Sequence, residues 1–264
     1  MAEPFFFPEP EAALFGVYHA PLTMADRDLG VVIAAPYGME YEKTHRALRQ
    51  LALQLAGAGF HVLRFDYRGC GDSAGEPTAL DLADWVSDLE MAVEELEDRA
   101  GVARVAVVGL RLGATLALLA AARRRDVEAL VLWEPILDGP AYMGELSDLA
   151  ASWSHEGGFD PPPQRDETML DVLGFPIGER LRRSLESLSF SFRRRPARRA
   201  LLLLEAPRRD AGELSERLRK TGARAEELQV TPSGIWLGSE GDGRPVTPRA
   251  TLQAAVSWLT AEGP

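Results

Sequence analysis

Residues 104–122 read RVAVVGLRLGATLALLAAA. An apolar run, Val105–Val108, meets Gly109-Leu110-Arg111-Leu112-Gly113 and then a run rich in Ala and Leu. The pattern predicts a buried strand, a tight glycine-framed turn and a buried helix starting near Ala114. A strand–turn–helix of this kind projects the middle residue of the turn above the sheet edge. That residue is Arg111, a permanent cation that cannot act as a nucleophile.

Working outward, similar apolar runs recur at Gly30–Ala35, Phe60–Asp66, Ala129–Trp133 and Ala200–Glu205. None alternates cleanly with polar residues, as expected of parallel strands covered on both faces. Helical patterns lie between them. Thr44–Ala58 spaces Leu48, Leu51 and Leu55 on one side, and Leu80–Leu96 does the same with Leu82, Trp85, Leu89 and Val93. Strands alternating with helices predict an α/β protein with a doubly wound, mostly parallel sheet. Phe5–Phe7 and Leu14–His19, joined by a Pro-rich turn, predict a preceding hairpin. At the far end the expectation is helix over Gly212–Thr221, strand over Glu226–Val230 and helix over Pro248–Ala261.

Asp138–Arg199 breaks the alternation. It contains GGFDPPP and two helical patterns, near Glu167–Leu173 and Ile177–Leu188. The expected organisation is therefore a core formed by 1–137 and 200–264, with 138–199 inserted as a cap over the strands' C-terminal ends.

The 264 residues carry a formal net charge of −11, which opposes binding to nucleic acid. Arg193–Arg195 and Arg198-Arg199 read as a solvated patch. One cysteine, Cys70, excludes an intrachain disulfide. The start, MAEPFFFPEPE, lacks the basic and apolar segments of a signal peptide, and no run is long enough to span a bilayer. The expected location is the cytoplasm. Paired His or Cys spacing for a metal, a phosphate-binding Gly-Lys-Ser/Thr and a dinucleotide fingerprint are all missing, so no cofactor is expected.

The combination resembles the α/β-hydrolase superfamily over essentially the whole chain. Arg111 stands at the middle of what resembles the G-x-S-x-G elbow. Pro36-Tyr37-Gly38 resembles the start of the oxyanion loop, and FDYRGCGDS at 65–73 resembles the loop after the fourth strand. More narrowly, GLRLGA (109–114), VLWEPILDGPAYMGEL (131–146) and DVLGFPIGERLR (171–182) resemble bacterial hydrolase-like proteins associated with exosortase systems. The resemblance implies a serine, an acid and a late histidine. The serine position is Arg111. Glu205 or Glu134 can serve as the acid. The histidine belongs near Ser233–Leu237, which reads SGIWL, and all four histidines (His19, His45, His61 and His155) precede it.

An arginine here faces the positive end of the following helix and needs an anion. One source is a protein carboxylate, with Glu134 and Glu205 expected first and Glu40 also in reach. The other is a ligand carboxylate or phosphate gripped by the guanidinium. Direct catalysis by Arg111 is the third reading. The expected binding set is Arg111, Tyr37, Glu134, Glu205, Leu110 and Leu112, with no assigned catalytic residue and with His45 and Glu205 in reserve. Cys70 and Ser73 read as turn residues, and Trp133 and Trp236 as core aromatics. The functional expectation is a pseudo-hydrolase that binds a small acyl or carboxylate compound or a partner protein. Self-association and a complex with another hydrolase are both open. The alternative is an esterase, thioesterase or acyltransferase without a serine nucleophile.

Overall fold

The computed structural model describes residues 2–7, 13–23, 27–124, 126–156, 169–237 and 247–261, with side chains withheld over 152–156. GGFDPPP and the side chain of His155 lie outside the described residues.

Ten strands and seven helices follow in chain order among the described residues: β1 (Ala2–Phe7), β2 (Leu14–His19), β3 (Gly30–Ala34), α1 (Met39–Gly57), β4 (His61–Phe65), α2 (Leu82–Ala100), β5 (Val105–Leu110), α3 (Leu112–Arg123) and β6 (Val127–Trp133). Then come α4 (Gly139–Glu156), β7 (Leu170–Val172), β8 (Phe175–Ile177), α5 (Glu179–Glu186), β9 (Arg199–Leu204), α6 (Arg209–Lys220), β10 (Arg224–Gln229) and α7 (Arg249–Thr260). Eight strands form one sheet in the order β1-β2-β4-β3-β5-β6-β9-β10. The pairings of β1 with β2 and of β2 with β4 are antiparallel, and the rest are parallel.

The unbroken apolar runs have a direct physical cause. In β3, Val32 and Ala34 enter the core packed by α2, α3 and α6, while Val31 and Ile33 enter the opposite core packed by α1 and α7. Burial on both faces removes any polar alternation. This is the α/β-hydrolase fold that the sequence predicts.

Two expectations are corrected. The helix expected from Thr44 begins at Met39, immediately after Gly38, and so includes Glu40. The helix expected near Glu167–Leu173 is a β-hairpin in its described part. Leu173 and Gly174 both have positive φ, 58° and 89°, between β7 and β8. Two positive-φ residues make the tight turn whose twist suits a hairpin. The segment between β6 and β9 also carries α4, whose Asp138 side chain accepts a hydrogen bond from the Ala141 amide at 2.9 Å.

Candidate functional site

Parallel strands deliver their next residues to one edge of the sheet. Here that edge receives Ala35–Gly38, Asp66, Arg111, Glu134 and Glu205. Arg111 adopts φ 52°, ψ −121°, a strained conformation for a residue with a side chain. The two flanking glycines make it feasible. A Cβ on Gly109 would lie 2.4 Å from the Ala114 Cα, and one on Gly113 would lie 2.2 Å from the Ala34 carbonyl oxygen. The Arg111 amide donates to the Trp133 carbonyl at 2.9 Å, and its carbonyl accepts from the Ala114 amide at 3.0 Å. The turn is thus tied to β6 on one side and opens α3 on the other.

The side chain is buried at 5% exposure. Its Nε donates to Glu40 Oε1 at 2.8 Å and its Nη2 to Glu145 Oε2 at 2.5 Å. Glu40 is equally buried, and its Oε2 accepts from the Tyr142 hydroxyl at 3.0 Å. The rings of Tyr142 and Trp236 lie 5.4 and 5.3 Å from the guanidinium carbon, within cation–π range. Burial alone would lower the Arg111 pKa. Glu40, Tyr142 and Glu145 outweigh it and hold the guanidinium above its ordinary value. Burial raises the Glu40 carboxyl, opposed by the charge and hydrogen bond of Arg111 and the hydrogen bond of Tyr142. A buried cation thus has a buried anion in contact and a second, half-exposed one at its tip.

The expectation that Arg111 pairs with Glu134 or Glu205 is corrected by this geometry. Glu40 reaches it because α1 starts early and carries Glu40 inward on its first turn. Glu134, at φ 45°, is engaged elsewhere: it accepts from the Glu205 amide at 2.5 Å and from Arg208 at 3.1 Å. Glu205 accepts from the Ser233 hydroxyl at 2.6 Å and the Gly234 amide at 3.1 Å. Glu205, directly after β9, thus contacts the segment after β10 where the sequence resemblance would put a histidine, and meets Ser233 there.

Leu110 and Leu112 are buried in opposite cores and contribute packing. Trp133 and Trp236 are buried as well, the latter doubling as a wall beside Arg111. Tyr37 stacks near Trp85, and its hydroxyl donates to the Pro176 carbonyl at 2.7 Å, tying the loop after β3 to β8. His45 is exposed on α1 with Nδ1 2.7 Å from the Glu42 carbonyl. Ser73 donates to the Asp66 carbonyl at 2.6 Å, a turn role. Burial, with Asp66 and Asp88 adding to it, pushes the Cys70 thiol up to about 12, so it stays protonated. Sequence reasoning missed Glu145 and Tyr142. The signal was their spacing of three on a helix that begins with Asp138-Gly139-Pro140.

No group of three or more His, Cys, Asp or Glu side chains suited to a metal occurs among the described residues. No described helix is long and apolar enough to cross a membrane.

Residues 32–156, just under half of the chain, match a family model described as serine aminopeptidase, S33. An uncharacterised protein of Mycobacterium tuberculosis is 42% identical over 93 residues, which is 34% of this chain and 32% of that protein. Human Protein ABHD12B is 34% identical over 113 residues, covering 41% of this chain and 30% of that protein. The matches thus span about a third of these curated relatives' length. Among solved structures, Est1E from Butyrivibrio proteoclasticus with ferulic acid bound aligns at TM-score 0.65 and 16% identity, covering 97% of this chain and all of the other (100%). An esterase of Pyrococcus furiosus, Pf2001, aligns at TM-score 0.61 and 18% identity over 98% of this chain and 89% of the other. The chain has the α/β-hydrolase fold, and its residues 32–156 are similar in sequence to the serine aminopeptidase S33 family.

Proposed function

We propose that this protein is a pseudo-hydrolase: an α/β-hydrolase fold in which serine hydrolysis has been replaced by a structural junction at the elbow. The observation that carries this is the contact of Arg111 with both Glu40 and Glu145. A serine elbow keeps its side chain free to attack and its surroundings ready for negative charge. Here the same position holds a cation, and two carboxylates already neutralise it. A ligand carboxylate at Arg111 would have to displace one of them, so the acyl or carboxylate site expected there loses its anchor.

In this reading the insertion 138–199 caps the sheet's edge and Arg111 latches it. Tyr142 and Glu145 belong to α4, Glu40 to α1 and Arg111 to the β5–α3 turn, so one guanidinium joins three elements. The role left to the fold is binding, of a small molecule or a partner. The resemblance to exosortase-associated proteins belongs to this proposal as its expected setting. The alternative, acyl chemistry without serine, lacks a free base: His45 faces solvent on α1 and Glu205 is held by Ser233 and Gly234.

The test is turnover of p-nitrophenyl acetate and butyrate by purified protein, with Arg111→Ala as comparison. The expected result is no turnover above the buffer rate for either protein. Turnover by the wild type that Arg111→Ala abolishes would overturn the proposal.

A further inference from the structure

A cavity lies at the same sheet edge, on the β3–β4 side of Arg111. It has a volume of about 210 Å³ and is lined by the loop after β3, the loop after β4 and the tip of the β7–β8 hairpin. Arg111 is not among its lining residues. Its walls include the rings of Tyr37, Phe65, Tyr67 and Phe175. Phe65 and Tyr67 meet edge to face with centroids 4.8 Å apart, and Tyr37 and Phe175 do so at 6.4 Å. The hydrogen bond from Tyr37 to Pro176 holds the hairpin against the opening.

Among the described residues the one carboxylate in this wall is Asp66. Oδ1 accepts from the Tyr41 hydroxyl at 2.7 Å and Oδ2 from the Asp72 amide at 3.2 Å. Each oxygen can accept a second hydrogen bond, so capacity remains. Tyr37, by contrast, has its hydroxyl committed. Among the described residues no lysine or arginine lines the cavity. Burial raises the Asp66 carboxyl, opposed by the hydrogen bonds of Tyr41 and the Asp72 amide and by the charge of Arg64.

We propose that this cavity binds a small organic cation, an ammonium group on a single-ring or similarly compact apolar body, with Asp66 as counter-ion and the four aromatic rings as walls. Aromatic faces attract cations, and an unpaired carboxylate beside them strengthens the preference. Size fits as well, since a dry cavity of about 150 Å³ admits benzene. An anion of the same shape would meet Asp66, with no lysine or arginine among the described lining residues. The site goes beyond the pseudo-hydrolase reading and shares no side chain with the Arg111 junction.

The test is calorimetric titration of the full chain with three molecules of one shape: benzylamine, benzyl alcohol and benzoate. Benzylamine is expected to bind at one site, about tenfold more tightly than benzyl alcohol, the factor that one charge-assisted hydrogen bond supplies, with benzoate weakest. Asp66→Asn should remove the advantage of benzylamine and leave benzyl alcohol unchanged. Cys70→Leu, which fills the cavity, should abolish binding of both. Should Asp66→Asn fail to fold, Phe175→Leu replaces it and should weaken benzylamine more than benzyl alcohol. Benzoate binding as tightly as benzylamine, binding that survives Cys70→Leu, or binding of none of the three would each overturn the proposal. Because Arg111 takes no part, failure here leaves the esterase result untouched, and the reverse also holds.

Discussion

The Oε1 atom of Glu205 lies 2.6 Å from the hydroxyl of Ser233. Glu205, the residue after β9, therefore holds the segment that follows β10.

This relationship yields a prediction about re-engineering. Arg111→Ser alone should give no covalent adduct with a fluorophosphonate probe, because Ser233–Leu237, where the base would stand, holds no histidine to take the serine proton. Arg111→Ser combined with Ser233→His places an imidazole beside Glu205 and should produce labelling detectable by intact-protein mass spectrometry. Labelling of the single variant would show that another residue already serves as base.

Tyr142 supplies the second hydrogen bond to Glu40. Tyr142→Phe keeps the packed ring and leaves one buried carboxylate oxygen short of a donor. The expected cost is about 1–3 kcal/mol, the desolvation penalty of an unsatisfied buried group. Chemical denaturation measures it, and an unchanged midpoint would mean that solvent replaces the hydroxyl.

These partners show where the sequence is legible and where it is not. The strands of the sheet are readable because burial on both faces leaves long Val, Leu and Ala runs such as Val105–Val108. The Arg111 turn is readable because only glycine fits on either side of it. The hairpin after residue 169 is not, since its turn uses Leu173 at positive φ where Asn or Asp is the usual signal. The partner of Arg111 is equally hidden. Glu40, Glu134 and Glu205 all stand near one edge in sequence terms, and only the early start of α1 selects Glu40. Glu145 depends on α4, whose Gly139-Pro140 opening reads as a loop until its Asp138 cap is seen.

His19, buried in β2, predicts a pH dependence unrelated to the elbow. Burial, reinforced by Arg64, lowers its pKa to about 4, and Arg64 Nε donates to its Nε2 at 3.3 Å. The folded state therefore keeps this histidine neutral at pH values where the unfolded chain, with an ordinary pKa near 6.5, is protonated. Between those values the unfolded state binds more protons, so stability rises with pH. The full effect is up to about 3 kcal/mol between pH 4 and pH 7, superimposed on the carboxylates' own contribution. His19→Gln should flatten that part of the profile, and an identical profile for the variant would contradict the assignment.

The most direct test of the account is a double-mutant cycle between Arg111 and Glu40, read by urea denaturation. Arg111→Met strands the buried Glu40 carboxylate and should cost about 3–5 kcal/mol; Glu40→Met leaves Arg111 paired with Glu145 alone and should cost less, and the double variant should cost clearly less than the sum of the two. That coupling would establish the elbow arginine as a latch closed by its own protein. Additive effects, or single variants within about 0.5 kcal/mol of wild type, would contradict it and return Arg111 to the role of a receptor awaiting an anion.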